Sequence, residues 1–192
     1  MKHEIYYVTT NPGKVAEVAE YAQLYAPEIE IKQFSADIDE IQSNDQVAIA
    51  RDKAKKAWDL LRKPVLVDDS GIFFEKYYKF PGTISKFVSY GLGFDGIKRL
   101  IDEGDRAYFL LSMVYIETED QLHMFEGRTN GRLTKPEKFE GDPHLPYDVY
   151  FIPDGSDVTN AVMRQNFKDT AQFYYRIKAL QQFLTWFKAR AK

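Results

Sequence analysis

Residues 65–87 read VLVDDSGIFFEKYYKFPGTISKF. The apolar run Val65-Leu66-Val67 leads straight into Asp68-Asp69-Ser70-Gly71. A short apolar run that ends in acids and a glycine predicts a buried strand closing on an exposed turn. In open α/β sheets, ligands gather outside such strand ends. Two adjacent carboxylates there can hold a hard cation such as Mg²⁺, or one of them can act as a general base. The same residue types also make an ordinary solvated turn. Their weight therefore depends on what the rest of the chain places at compatible spacing.

On both sides of this stretch, apolar periodicity marks further elements. Ile5-Tyr6-Tyr7-Val8 reads as a first strand. Thr9 to Lys14 follows as a turn into a helix, with Asn11 suited to the N-cap and Pro12 to the first helical position. Val15, Val18, Ala22 and Tyr25 recur at helical spacing, and Ile29 to Phe34 alternates like a strand. Ser43 and Gln46 have the form of a capping box. The helix that they open carries Val47, Ala50, Ala54, Ala57, Trp58 and Leu61 on one face, and Pro64 ends it.

Beyond the acidic turn, Phe94 to Ile101 reads as a short helix. Ala107 to Glu117 and Leu122 to Phe125 read as strands joined by Thr118-Glu119-Asp120, and Tyr147 to Ile152 as another strand. Residues 135–146 form the longest irregular segment, a kind of loop that is often functional. Phe173, Ile177, Leu180, Leu184 and Phe187 mark a last helix. Early alternation of helices and strands, followed by a strand-rich block, predicts an α/β fold with a large mixed sheet.

Composition narrows the function classes. The 192 residues allow one sizeable domain or two small lobes. The chain has no cysteine, which removes disulfides, thiolate metal sites and cysteine nucleophiles, and it fits a reducing, cytoplasmic setting. A net charge of −3 offers no basic field for nucleic acid. No stretch reaches the length of a membrane-spanning helix, and the opening MKHEIYYVTTN is too short and polar for a signal peptide. His3, His123 and His144 are scattered and form no zinc motif. There is no nucleophile elbow and no Walker A loop.

What remains is a combination. Thr9 to Lys14 brings free N–H groups and a helix dipole to a strand end, which suits phosphate. Glu40 lies between Ile38 and Ile41 ahead of a helix, and Lys53 stands within that helix. Each has an ordinary reading as a solvated surface charge. Together with Asp68 and Asp69 they read as a site for a metal ion and a polyphosphate.

The residues resemble the inosine triphosphate pyrophosphatases, which clear non-canonical purine nucleotides, and archaeal members in particular. Thr9-Thr10-Asn11-Pro12-Gly13-Lys14 with Glu17 is similar to that family's opening Thr-Gly-Asn-x-x-Lys-x-x-Glu. Glu40-Ile41-Gln42 resembles the segment carrying a metal-binding Glu, and Lys53-Ala54 a phosphate-binding Lys-Ala pair. Val67 to Gly71 followed by Phe80-Pro81-Gly82 is the most specific match. Phe125-Glu126-Gly127 with Gly131, then Tyr147-Asp148 and Phe151 to Gly155, complete it.

The resemblance implies a long central mixed β-sheet with flanking helices, and a single domain over residues 1–192 with two lobes around a cleft. It implies Mg²⁺-dependent attack of water on the α-phosphorus, giving a nucleoside monophosphate and pyrophosphate. Glu40, Asp68 and Asp69 would manage the metal, with Asp69, Lys14 and Lys53 catalytic. Thr9, Asn11, Lys14, Lys53, Ser70, Tyr147, Asp148, Lys168 and Arg176 would contact the substrate. Members are commonly homodimers, and the aromatic cluster Phe73, Phe74, Tyr77, Tyr78 and Phe80 is a candidate contact that core packing would explain equally well.

Departures from the pattern fall on the base-binding half. Members read Gly-Phe-Gly-Tyr-Asp-Pro where this chain has His144-Leu145-Pro146-Tyr147-Asp148-Val149. Leu145 thus stands in place of the aromatic expected to stack on the purine. The Ser-His pair before Arg176 is absent, and its distance from Lys168 is two residues longer. Val162 replaces a Glu, and Thr10 a Gly. Two readings follow: a nucleoside triphosphate pyrophosphatase with altered or relaxed base preference, or a nucleotide-binding or interaction protein that keeps the fold and has lost turnover.

Overall fold

The computed structural model describes residues 2–190. Seven strands form one mixed sheet among the described residues. They are β1 (His3–Val8), β2 (Ile29–Phe34), β3 (Val65–Phe74), β4 (Pro81–Gly82), β5 (Arg106–Thr118), β6 (Gln121–Leu133) and β7 (Phe151–Pro153). The order is β2-β1-β3-β5-β6-β7, with β4 paired to β3. β1 runs parallel to both β2 and β3, and β7 is antiparallel to β6. The helices are α1 (Pro12–Tyr25), α2 (Gln46–Leu61), α3 (Ser85–Leu100), α4 (Asn160–Met163), α5 (Phe167–Thr170) and α6 (Tyr175–Arg190). The expected α/β fold with a long mixed sheet is therefore present. No described helix is long and apolar enough to cross a membrane.

The chain divides into two compact units. The first comprises residues 1–69, 111–127 and 176–192, and the second residues 70–110 and 128–175. Strands β3, β5 and β6 each contribute residues to both.

In the first unit the strand alternation sorts the core into two layers. Val8, Val65, Val67, Val114 and Ile116 pack against Ala50, Ala54 and Ala57 of α2. Alanines spaced i, i+4, i+7 let that helix lie close to the sheet. The intervening residues supply the other layer. Tyr115 meets Phe183 and Phe187 of α6, and Phe187 also meets His3.

Capping defines where the helices start. Asn11 accepts from the N–H groups of Gly13 (2.9 Å) and Lys14 (3.2 Å), as expected of an N-cap ahead of Pro12. At α2 the cap is Asp45 rather than Ser43: its carboxylate accepts from Val47 (2.9 Å) and Ala48 (3.3 Å). Ser43 instead accepts from the Asp45 N–H, an upstream turn in place of the capping box.

The second unit differs more from the sequence reading. The helix read from Phe94 begins nine residues earlier, at Ser85, with a break at Gly93 (φ 62°, ψ −171°). The Gly91-Leu92-Gly93 run made the first part illegible. Only Phe151–Pro153 forms the strand expected over 147–152. Asp148 and Tyr150 instead donate back to Leu145 and Tyr147, which makes consecutive turns. In the aromatic cluster, Phe73 and Phe74 are core residues and Phe73 stacks on Tyr108, whereas Tyr78 is 94% exposed. Core packing thus explains the two phenylalanines.

The glycine of the acidic motif has a steric reason. A Cβ on Gly71 would lie 2.2 Å from the carbonyl oxygen of Gly82, on the strand that pairs with it. Gly71→Ala is therefore expected to destabilise the protein by about 1–3 kcal/mol, the usual range for overpacking. A fall in the urea midpoint with unchanged m value checks this, and an unchanged midpoint would contradict it.

Candidate active site

Strand alternation separates the two acids of the Asp68-Asp69 pair. Tyr7 pairs with Leu66 in the β1–β3 register, so Tyr7, Leu66 and Asp68 share one sheet face. Asp69 shares the opposite face with Val65 and Val67, the side packed by α2.

On the first face, Asp68 is 1% exposed and fully engaged. Its Oδ1 accepts from Lys14 Nζ at 2.5 Å. Its Oδ2 accepts from the Tyr7 hydroxyl and from Arg176 Nε, both at 2.7 Å. Arg176 is itself completely buried, and its second contact is Glu17 Oε2 at 2.6 Å from Nη1. Burial alone would raise the Asp68 carboxyl, but the Lys14 and Arg176 cations outweigh it and hold the group well below the usual carboxylate range.

On the other face the balance is reversed. Asp69 is buried, and its Oδ2 has no hydrogen-bond partner. Burial pushes its carboxyl up to about 6; Lys14 and Lys53 oppose the rise, while Glu40 and Asp68 add to it. Lys53, on α2, pairs with Glu40 Oε1 at 2.6 Å. Burial works to lower the Lys53 ammonium, but Glu40, assisted by Asp68 and Asp69, raises it overall. Lys14, Glu40, Lys53, Asp68 and Asp69 therefore interact within the first unit.

Asp68, expected at the metal, has protein donors on both its oxygens. Among the described residues, no three Asp, Glu or His side chains are arranged to hold a metal ion. Arg176, expected to contact substrate, is completely buried between Glu17 and Asp68. Thr9 is buried and accepts from the Asn11 N–H, so both residues shape the turn into α1.

In the second unit, Ser70 is half-buried on β3. Tyr147 is buried and donates to the Ser85 carbonyl. Asp148 is buried and paired with Arg164 at 2.5 Å. Leu145 is a buried core residue, and Lys168 is exposed. The Tyr147 hydroxyl and the Asp148 carboxylate, both expected to contact substrate, thus have protein partners, as buried polar groups require.

Two participants had no role assigned from sequence, Tyr7 and Glu17. A tyrosine in an otherwise apolar buried strand signals a hydroxyl in need of a partner. Glu17 is off the stripe read through Val15, Val18, Ala22 and Tyr25, so its burial beside Gly13 and Tyr21 was not signalled by apolar spacing.

Removing Arg176 would leave two buried carboxylates without their shared cation. Arg176→Met is expected to cost about 3–5 kcal/mol, read by urea denaturation. Asp69 has the opposite sign. Its folded-state value of about 6 lies above the unfolded one, so ionised Asp69 destabilises the fold at pH 7. With chelator present, Asp69→Asn is expected to add about 1–3 kcal/mol at pH 7. The gain should shrink as pH falls from about 6 and vanish below about 4. A pH series of urea midpoints checks both sign and window.

Comparisons with known proteins bear on this geometry. The sequence pattern of the Ham1 family matches residues 5–186. A dITP/XTP pyrophosphatase of Thermococcus kodakarensis is 33% identical over 189 residues, covering 97% of this chain and 98% of that protein. An inosine triphosphate pyrophosphatase 2 of Trypanosoma cruzi is 32% identical over 170 residues, covering 87% and 84%. Among solved structures, a HAM1 protein from Coxiella burnetii has a TM-score of 0.76 at 22% identity, covering 97% of this chain and 99% of its own. The Staphylococcus aureus Ham1 protein has 0.70 at 20% identity, with 97% and 99% covered. The structural likenesses show a shared fold, and the matches to sequence pattern and relatives show that this chain belongs to the Ham1 family.

Proposed function

We propose that this chain is a nucleoside triphosphate pyrophosphatase, acting on non-canonical purine nucleotides with altered base selectivity. The observation that carries the reading is Asp69. It is a buried carboxylate with an unpartnered oxygen, midway along β3, within the fields of Lys14 and Lys53. The names of the full-length relatives support the reaction class.

Mg²⁺ takes one or two protein carboxylates and completes its shell with water and phosphate oxygens. Asp69, with its unpartnered oxygen, and Glu40, whose charge acts on it, fit that requirement. When bound, the ion would neutralise charge on the triphosphate. Lys14 and Lys53 hold the phosphates, Lys14 from the first turn of α1. Asp69 orients the attacking water and accepts its proton, the task of a general base. The water oxygen bonds to the α-phosphorus as the α–β bridging bond breaks, giving a nucleoside monophosphate and pyrophosphate.

Altered base selectivity rests on the second half of the motif set. Leu145 replaces an aromatic and is buried, Asp148 is paired with Arg164, and Arg176 is paired with two carboxylates. Stacking by an aromatic contributes about 0.5–1.5 kcal/mol beyond burial, which Leu145 cannot supply in the same way.

Pyrophosphate release with Mg²⁺ across inosine, xanthosine, adenosine and pyrimidine triphosphates tests both parts. The expected result is release that falls by about 10²–10⁴ in kcat for Asp69→Asn. Near wild-type kcat in that folded variant would remove Asp69 from the mechanism. A strong preference for inosine over adenosine triphosphate would overturn the altered selectivity. No release from any substrate would leave a nucleotide-binding protein without turnover.

A further inference from the structure

The best-connected side chain in the first unit is Asp68, and its partners have a consistent arrangement. One oxygen faces Lys14 alone. The other is held by two donors that are themselves completely buried, the Tyr7 hydroxyl on β1 and the Arg176 guanidinium at the start of α6. Arg176 is braced from its far side by Glu17, one turn along α1 from Lys14. The group contains two cations and two anions, so it places no net charge in the core. Tyr7 has a further consequence. A phenylalanine at this position would fill the same volume, so the hydroxyl contributes only its donation to Asp68.

We infer that Asp68 is a positioning residue that holds the Lys14 ammonium in place, and that the Tyr7 hydroxyl, with Arg176, fixes Asp68 in that role. A carboxylate bonded through one oxygen can turn about its terminal torsion. Two donors on Oδ2 remove that freedom and present Oδ1 to Lys14. The Lys14 side chain retains 15% exposure, so its ammonium can meet an anion while Asp68 holds it from behind. The anion concerned is the triphosphate of the proposed function, and to that extent the inference rests on that reading.

The test uses Tyr7→Phe, which keeps the ring and removes one hydrogen bond, and it has two arms. The first is acylation of surface amines in the intact protein, resolved to single lysines by mass spectrometry. Lys14 is expected to react several-fold faster in Tyr7→Phe than in wild type, with the Lys53 rate unchanged. Equal rates at Lys14 would overturn the inference, and so would equal acceleration at both lysines, which reports general loosening. The second arm is calorimetric binding of inosine triphosphate with Mg²⁺ in a double-mutant cycle. Tyr7→Phe is expected to weaken binding about threefold to tenfold in the wild-type background and less than twofold in Lys14→Ala. The same loss in both backgrounds would show that Tyr7 acts through something other than Lys14. Accelerated labelling with unchanged binding would retain the clamp on Lys14 and reject Lys14 as a phosphate contact.

Discussion

Successive side chains of a β-strand leave on opposite faces, and most of the candidate site follows from that constraint acting on Asp68 and Asp69. Both residues are buried at the same level of β3, yet they meet different surroundings. Asp68 shares its face with Tyr7 and is met by three donors. Asp69 shares its face with Val65 and Val67 and retains an oxygen without a partner. One carboxyl is held far below its ordinary range and the other is raised to about 6. A pair that looks symmetrical in sequence thus becomes one acid with donors on both oxygens and one with an unpartnered oxygen.

The ion group around Asp68 has a cost that its geometry must offset. Taking charges out of water is expensive, and their mutual attraction repays this only when hydrogen bonding is nearly complete. Arg176 meets the condition with separate nitrogens on Glu17 and Asp68. The arrangement joins α1, β3, β1 and α6 through polar bonds where apolar packing could also have served. Its polar character makes sense if the purpose is to fix the direction of a lysine, because apolar contacts do not orient an ammonium.

In the second unit, the residues on the divergent half of the family pattern have protein partners or core positions. Asp148 pairs with Arg164, the Tyr147 hydroxyl reaches the Ser85 carbonyl, and Leu145 lies in the core. Each is a buried group satisfied locally. The same region carries the departures from the family pattern, so changed sequence and changed environment coincide. The phosphate half of the pattern, in contrast, keeps Lys14, Lys53, Glu40 and Asp69 within one electrostatic group.

Local chemistry alone determined much of this protein. Asn11 and Pro12 specify the start of α1, and the alanine stripe 50-54-57 specifies the buried face of α2. Val65 to Val67 specifies a buried strand, but the exposed turn expected at Asp68 to Gly71 does not form, because β3 continues through it to Phe74. The cap, the stripe and the apolar run are short-range signals, read from spacing and residue type. The extent of α3 was not legible, because Gly91 and Gly93 suppress a helical pattern that the fold tolerates with a break at Gly93. Nor was the fate of Arg176. Its partners lie 108 and 159 residues away, and helical spacing cannot say what an arginine will find across a folded sheet. Sequence placed two acids side by side; only the register of β1 against β3, a long-range pairing, decided that they would face different partners and hold their protons so differently.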